Sequence, residues 1–126
     1  MPFYLEKEKT ESTPYALVDE EKKYIKLAGR SFHEHAAEFF LPITEWLDAF
    51  LETDFGELTF DCAMDYFNSS TVKTLHNMLK KMDRRTSSAN KITVNWITTS
   101  QNKIIIECGE DFQDDFDSLE INMVIH

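Results

Sequence analysis

Between Leu58 and Met82 the spacing of apolar residues changes period, and few folds accommodate such a change. Leu58, Phe60, Cys62 and Met64 alternate with Thr59, Asp61, Ala63 and Asp65. Strict alternation puts every second side chain on one face, as in a half-buried strand. After Tyr66-Phe67-Asn68-Ser69-Ser70, which reads as the turn, Val72, Leu75, Met78, Leu79 and Met82 recur at helical spacing. Lys73, Lys80 and Lys81 fall elsewhere on that helix, and Asn68, Ser69 or Ser70 can cap it. A strand that feeds directly into an amphipathic helix belongs in a layered fold of sheet and helices.

The flanking sequence repeats both periods. Tyr15–Val18 and Tyr24–Ala28 read as short strands, with Asp19-Glu20-Glu21-Lys22-Lys23 as their hairpin loop. Gly29-Arg30 is expected to end the second strand. Ser31-Phe32-His33-Glu34 matches a capping box, with Ser31 as the cap and Glu34 reaching back. Ala36, Phe39, Phe40, Ile43, Trp46, Leu47 and Phe50 then recur at helical spacing. Pro42 lies inside this pattern and is expected to kink or split the helix, because it lacks a donor and crowds the preceding turn. Beyond Gly56 and the central unit, Arg84–Asn90 is polar and closes the second helix. Ile92, Val94 and Trp96 alternate with Thr93 and Asn95 as a strand. Ser100-Gln101-Asn102 reads as a turn, Ile104–Cys108 as the hairpin partner ended by Gly109, Glu110–Phe116 as a short acidic helix, and Ile121–Ile125 as a last strand. The expected order is β-β-α-β-α-β-β-α-β, an α/β (α+β) domain with a mixed sheet and packed helices. Residues 1–12 are expected to form a loose arm and residues 13–126 a single domain.

Composition removes several function classes. With 126 residues, 42% of them hydrophobic and 13% aromatic, the chain can bury a core without staples. It carries 23 acidic and 13 basic residues, a formal net charge of -10. That sign opposes nucleic-acid backbones and anionic membranes. No apolar run approaches the ~20 residues of a membrane span, and residues 1–10 lack the apolar stretch of a signal peptide. Cys62 and Cys108 are too few for a disulfide scaffold and lack zinc-type spacing. The reading is a cytoplasmic acidic domain with reduced thiols and no cofactor.

Catalytic motifs are weak. His33 and His35 would point about 200° apart on a helix, at ~3.6 residues per turn, and so do not share a metal. Cys62 lies on the apolar face of its strand as a small core residue. Cys108 or His76 could serve a small enzyme only with an activating neighbour, and the sequence offers none. The acids Glu107, Glu110, Asp111, Asp114, Asp115, Asp117 and Glu120 lack the spacing of a calcium loop, and read as a solvated face or a docking patch for a basic surface. Gly109-Glu110-Asp111-Phe112 resembles part of the diguanylate cyclase signature, but the second leading Gly is missing and the chain is too short. No Gly-rich phosphate loop or supported Ser-His-Asp set occurs, so the chain is read as a non-enzyme.

The segment Asp65–Lys73 is the most informative. Three hydroxyls, Ser69, Ser70 and Thr71, sit where a strand gives way to a helix. They can cap the first turn. A phosphate there would meet free amides and the positive end of the helix dipole, adding about -1.5 to -2 charges.

The block Tyr66-Phe67-Asn68-Ser69-Ser70-Thr71-Val72-Lys73 resembles the signature of the SiaC family of bacterial regulatory phosphoproteins. Ser12-Thr13-Pro14, Gly29-Arg30-Ser31-Phe32, Phe39-Phe40-Leu41-Pro42 with Trp46-Leu47, Val94-Asn95-Trp96 and Gly109-Glu110-Asp111-Phe112 agree with it in order. The resemblance implies a STAS-like fold, of the anti-sigma-factor-antagonist type, and partner switching. A cognate serine/threonine kinase would phosphorylate the protein and a PP2C-type phosphatase reverse it. The unphosphorylated form would bind and activate a diguanylate cyclase, raising cyclic di-GMP and promoting biofilm or aggregation. Ser69, directly after Asn68, holds the phosphoacceptor position, where some members carry Thr; Ser70 and Thr71 are neighbouring alternatives. Asp65, Tyr66, Phe67 and Asn68 are expected to frame the partner surface around Ser69, with Lys73 helping to hold the phosphate. The rival reading is a constitutive STAS-like interaction domain in which these hydroxyls only cap.

Overall fold

In the computed structural model, which describes all 126 residues, six strands form one mixed sheet in chain order. The elements are β1 (Tyr4–Lys7), β2 (Tyr15–Asp19), β3 (Tyr24–Ser31), α1 (Ala36–Phe50), β4 (Glu57–Phe67), α2 (Ser69–Arg85), β5 (Lys91–Thr98), α3 (Lys103–Asp115) and β6 (Glu120–Ile125). Strands β1 to β3 pair antiparallel, and β3 to β6 pair parallel. Each parallel step is a strand–helix–strand crossover, and right-handed crossovers stepping the same way leave their helices on one face. Burial agrees. Ile25 and Leu27 in β3, Leu58, Phe60, Cys62 and Met64 in β4, and Ile92, Val94 and Trp96 in β5 are buried, while the intervening residues are not. The expected mixed sheet with packed helices is the observed fold. No helix is long and apolar enough to cross a membrane.

The core is a continuous cluster of 29 buried apolar residues between sheet and helices. Its two tryptophans keep their polar atoms paired. Trp46 Nε1 donates to Glu20 Oε1 at 2.7 Å, and Trp96 Nε1 donates to the Ile105 carbonyl at 2.8 Å. Trp46, Phe50 and Phe55 stack in sequence, with centroid spacings of 4.6 and 5.0 Å.

Several local expectations are overturned, among them the end of the second strand at Gly29-Arg30, since β3 runs on to Ser31. Residues 4–7, placed in a loose arm, pair with β2, because Leu5 and Phe3 pack against the core and Phe3 stacks on Trp46 at 6.0 Å. The Ser31 capping box does not form. Ser31 ends β3 and is buried, α1 starts at Ala36 after His35 without a side-chain cap, and the Ser31 hydroxyl is held by Thr71 at 2.6 Å. Pro42 does not split α1, which runs unbroken from Ala36 to Phe50. Burial of Phe40, Ile43, Trp46, Leu47 and Phe50 on one side outweighs the lost backbone bond.

Ile104–Cys108 is not a strand, and Gly109 does not end it. Both lie within α3, where Ile105, Gly109 and Phe112 form the buried side. The β-branched run favours a strand locally, yet the spacing of those three residues is helical. A Cβ on Gly109 would stand 2.5 Å from Trp96 Cδ1, so only glycine lets the helix lie this close. The observed order is therefore β-β-β-α-β-α-β-α-β, with a parallel β5–β6 pair in place of the expected hairpin.

Candidate functional site

The parallel strands β3 and β4 end side by side, and their exits build one local structure. Strand β4 runs through Tyr66 and Phe67, which are not in the turn. The β3–β4 register shifts between Gly29 and Arg30, so that Gly29 pairs with Met64 but Arg30 with Tyr66 and Ser31 with Phe67. Gly29 has φ +102°, a conformation that costs glycine little. A bulge of this kind re-aims side chains. It leaves Asp65 and Tyr66 exposed, while Phe67 turns inward, 6.0 Å from the Trp96 ring. Phe67 is thus a core residue, and its expected place on the partner surface is withdrawn.

Asn68 links the two exits. Its amide donates to the Ser31 carbonyl at 3.0 Å, and its Nδ2 donates to the His33 carbonyl at 3.2 Å. Its Oδ1 accepts from both the amide and the hydroxyl of Thr71, each at 3.0 Å. Asn68 is the N-cap of α2, one of the three residues expected for that role.

The three hydroxyls are thereby sorted. Thr71 is fully buried, and its oxygen lies between Asn68 and Ser31. Ser70 is half-buried, and its carbonyl accepts from the Thr74 hydroxyl at 3.1 Å. Ser69 is exposed at the first helical position, and its hydroxyl makes no hydrogen bond. The amides of Ser69 and Ser70 belong to the first turn, where no intrahelical acceptor exists. Lys73 is exposed one turn further along α2.

Residues 30–35 complete the surroundings and were not singled out as site residues from the sequence. The Arg30 guanidinium carbon lies 5.6 Å from the Phe32 ring centroid and 5.8 Å from that of Tyr66. The two rings meet edge to face at 6.2 Å. Phe32 and Tyr66 are 37% and 47% exposed, which makes them a small aromatic patch where β3 and β4 end. The signal was present in Gly29-Arg30-Ser31-Phe32, but only the strand pairing joins it to Tyr66. His33 and His35 lie nearby with rings 6.1 Å apart, and His33 Nδ1 accepts from the His35 amide. No three His, Cys, Asp or Glu side chains converge on one point.

Elsewhere, catalytic chemistry finds little support. Burial pushes the Cys62 thiol well above its ordinary range. Cys108 on α3 is pushed up to about 11, first by burial and then by the Asp111 charge. His76 lies 3.9 Å from Asp115 and packs beside Phe116.

Comparison with known proteins completes the description. Residues 7–126 match the model of the SiaC family regulatory phosphoproteins. An uncharacterized protein of Pseudomonas aeruginosa (strain UCBPP-PA14) is 24% identical over 106 residues, covering 84% of each chain. Among solved structures, SiaC of Pseudomonas aeruginosa superposes with a TM-score of 0.89 at 22% identity, covering 98% of this chain and 99% of that one. A chain from the structure of diguanylate cyclase SiaD in complex with its activator SiaC, also from Pseudomonas aeruginosa, gives 0.88 at 23% identity, covering 97% and 99%. These structures share the six-stranded fold, and the family match spans the strand–helix junction around Ser69. The chain belongs to the SiaC family of regulatory phosphoproteins.

Proposed function

We propose that the protein is a non-enzymatic partner-switching signalling protein whose switch is phosphorylation of Ser69. A cognate serine/threonine kinase adds the phosphate and a PP2C-type phosphatase removes it. The unphosphorylated form binds and activates a diguanylate cyclase, and through cyclic di-GMP it promotes biofilm or aggregation. Family membership and the fold shared with a cyclase activator support the output.

One observation carries the choice of residue. Of the three hydroxyls at the start of α2, Ser69 alone is exposed, and it has no structural bond to lose. Capping is performed by Asn68 with Thr71. In the constitutive reading the hydroxyls only cap, and Ser69 makes no capping bond. The partner surface in this reading comprises Asp65, Tyr66, Asn68 and Ser69, with Lys73 at its margin.

Phosphopeptide mapping of the protein purified from its host, grown under two conditions, tests the proposal. Phosphate on Ser69 that varies with condition is expected. Phosphate on Ser70 or Thr71 would move the acceptor. Its absence while the kinase is expressed would leave the constitutive interaction domain as the better account.

A further inference from the structure

We propose that the outer edge of β6 pairs with β6 of a second copy of this chain, antiparallel and across a two-fold axis at Val124. The inference stands apart from the Ser69 reading and does not depend on it.

Strand β6 closes one side of the sheet and pairs only with β5. Its backbone orientation follows from the bonds at its end. The His126 amide donates to the Thr98 carbonyl, and the His126 carbonyl accepts from the Ser100 amide, so His126 faces β5. Backbone direction alternates along a strand, so Asn122 and Val124 also face β5, while Ile121, Met123 and Ile125 face outward. One outward group is already taken: the Gln113 side chain on α3 donates to the Ile121 carbonyl at 2.8 Å. The amides and carbonyls of Met123 and Ile125 meet no partner within the chain. Nor does the stretch carry the devices that block such an edge. The opposite edge, β1, has four residues, two of them the charged Glu6 and Lys7. Residues 121–125 contain no charge and no proline and form no bulge, and Val124 and Ile125 are 42% and 46% exposed.

One register of self-pairing fits these groups. With Val124 opposite its own counterpart, Met123 of each copy lies opposite Ile125 of the other. Such a pair exchanges two N–H···O bonds, so all four free groups of each copy are used. Ile121 lies beyond the paired stretch and keeps Gln113, and Glu120 stays far from its counterpart. A register centred on Met123 would instead require the Ile121 carbonyl and displace Gln113. A second copy is thus the occupant whose own groups match the edge one for one, and the two-fold closes the assembly at a dimer. So short an edge buries little surface, and the dimer is a weak one that fills at high concentration. It presents two Ser69 junctions, each following β4, two strands in from the edge.

Sedimentation equilibrium of the full chain tests the proposal. The mean mass should rise with concentration from that of one chain toward that of two. Val124→Lys sets two ammonium groups face to face at the axis and should raise the dissociation constant at least about tenfold. Ile125→Pro removes an outward amide that bonds nothing within the chain, a change an edge strand tolerates, and should do the same. Cysteine cross-linking in a Cys108→Ser chain reads the register. Facing residues of a non-hydrogen-bonded pair lie about 4.5 Å apart at Cα, within the disulfide range of about 4.4–6.8 Å. Val124→Cys should therefore cross-link under mild oxidation, and Asn122→Cys, on the same face, should not. A chain that stays monomeric at every concentration overturns the proposal and leaves the edge to a strand of another protein. A dimer indifferent to both edge substitutions, or equal cross-linking at positions 122 and 124, also overturns it.

Discussion

Ser69 and Thr71 stand two positions apart and have opposite environments. The Thr71 hydroxyl is buried between Asn68 and Ser31, so Thr71→Val leaves the Ser31 hydroxyl unpaired inside the protein. A loss of about 1–3 kcal/mol is expected. Ser69→Ala removes no bond, and a change within about 0.5 kcal/mol is expected. Urea denaturation of the two variants checks both values; a loss near 1 kcal/mol at Ser69 would restore it as a cap. The capping role of Asn68 was legible from residue type and position. The sorting of the three hydroxyls was not, because it depends on Ser31, a distant residue brought close only by the β3–β4 pairing. Cys108 gives a second residue-scale test. Burial holds its thiol up to about 11, so little thiolate exists at pH 8, and the rate rises with pH toward that value. Alkylation by iodoacetamide at pH 8 is expected to be at least about tenfold slower than for a free cysteine, whose ordinary value is near 8.5. A rate equal to free cysteine would reopen a reactive role.

At the scale of elements, α3 is where local preference and tertiary structure disagree most. Three consecutive isoleucines, with a glycine three residues after the last, favour a strand that stops. The helix forms because Ile105 and Phe112 are buried at helical spacing and Gly109 lets the backbone approach Trp96. Gly109→Ala sets two effects against each other. Alanine gains about 0.8–1 kcal/mol in helix propensity. Its Cβ, however, would meet Trp96 Cδ1 at 2.5 Å, Trp96 Nε1 at 2.7 Å and Met123 Sδ at 2.8 Å. Met123 can move, but Trp96 is buried and tied to the Ile105 carbonyl. Overpacking of about 1–3 kcal/mol exceeds the gain, so thermal unfolding should show a lower Tm. A raised Tm would mean that α3 slides over the sheet freely. The Ser31 capping box failed for a related reason: a local hydroxyl–amide bond lost to a tertiary hydroxyl pair. Elements whose apolar period was unambiguous, β4, α2 and β5, appear where the sequence puts them, except that β4 continues through Tyr66 and Phe67, which were expected in the turn.

For the whole molecule, the question is how about two added charges matter on a chain whose net charge is already -10. A global field cannot answer it, because at physiological salt a charge is screened beyond ~8 Å. The switch must act on groups close to Ser69, and the fold allows that. Strands β3 and β4 deliver Arg30, Phe32, Tyr66 and Ser69 to one end of the sheet, whereas Asp114 and Asp115 lie at the C-terminal end of α3, where Asp115 comes within 3.9 Å of His76, two turns along α2 from Ser69. Alternation made the sheet-and-helix class legible, but only the parallel pairing of β3 with β4 assembles this end. Locality gives a quantitative contrast. If the unphosphorylated form binds a diguanylate cyclase, Ser69→Asp should weaken binding at least about tenfold, equivalent to ~1.4 kcal/mol. Asp114→Lys on α3 changes net charge by more and should alter affinity less than about threefold, since a remote rim charge is screened. Calorimetric titration at two salt concentrations separates the cases. The Ser69→Asp effect should persist at the higher salt, where a long-range effect would fade. If Asp114→Lys shifted affinity at least as far in the opposite direction and salt erased both effects, the interface would be reading total charge, and Ser69 would have no special place in it.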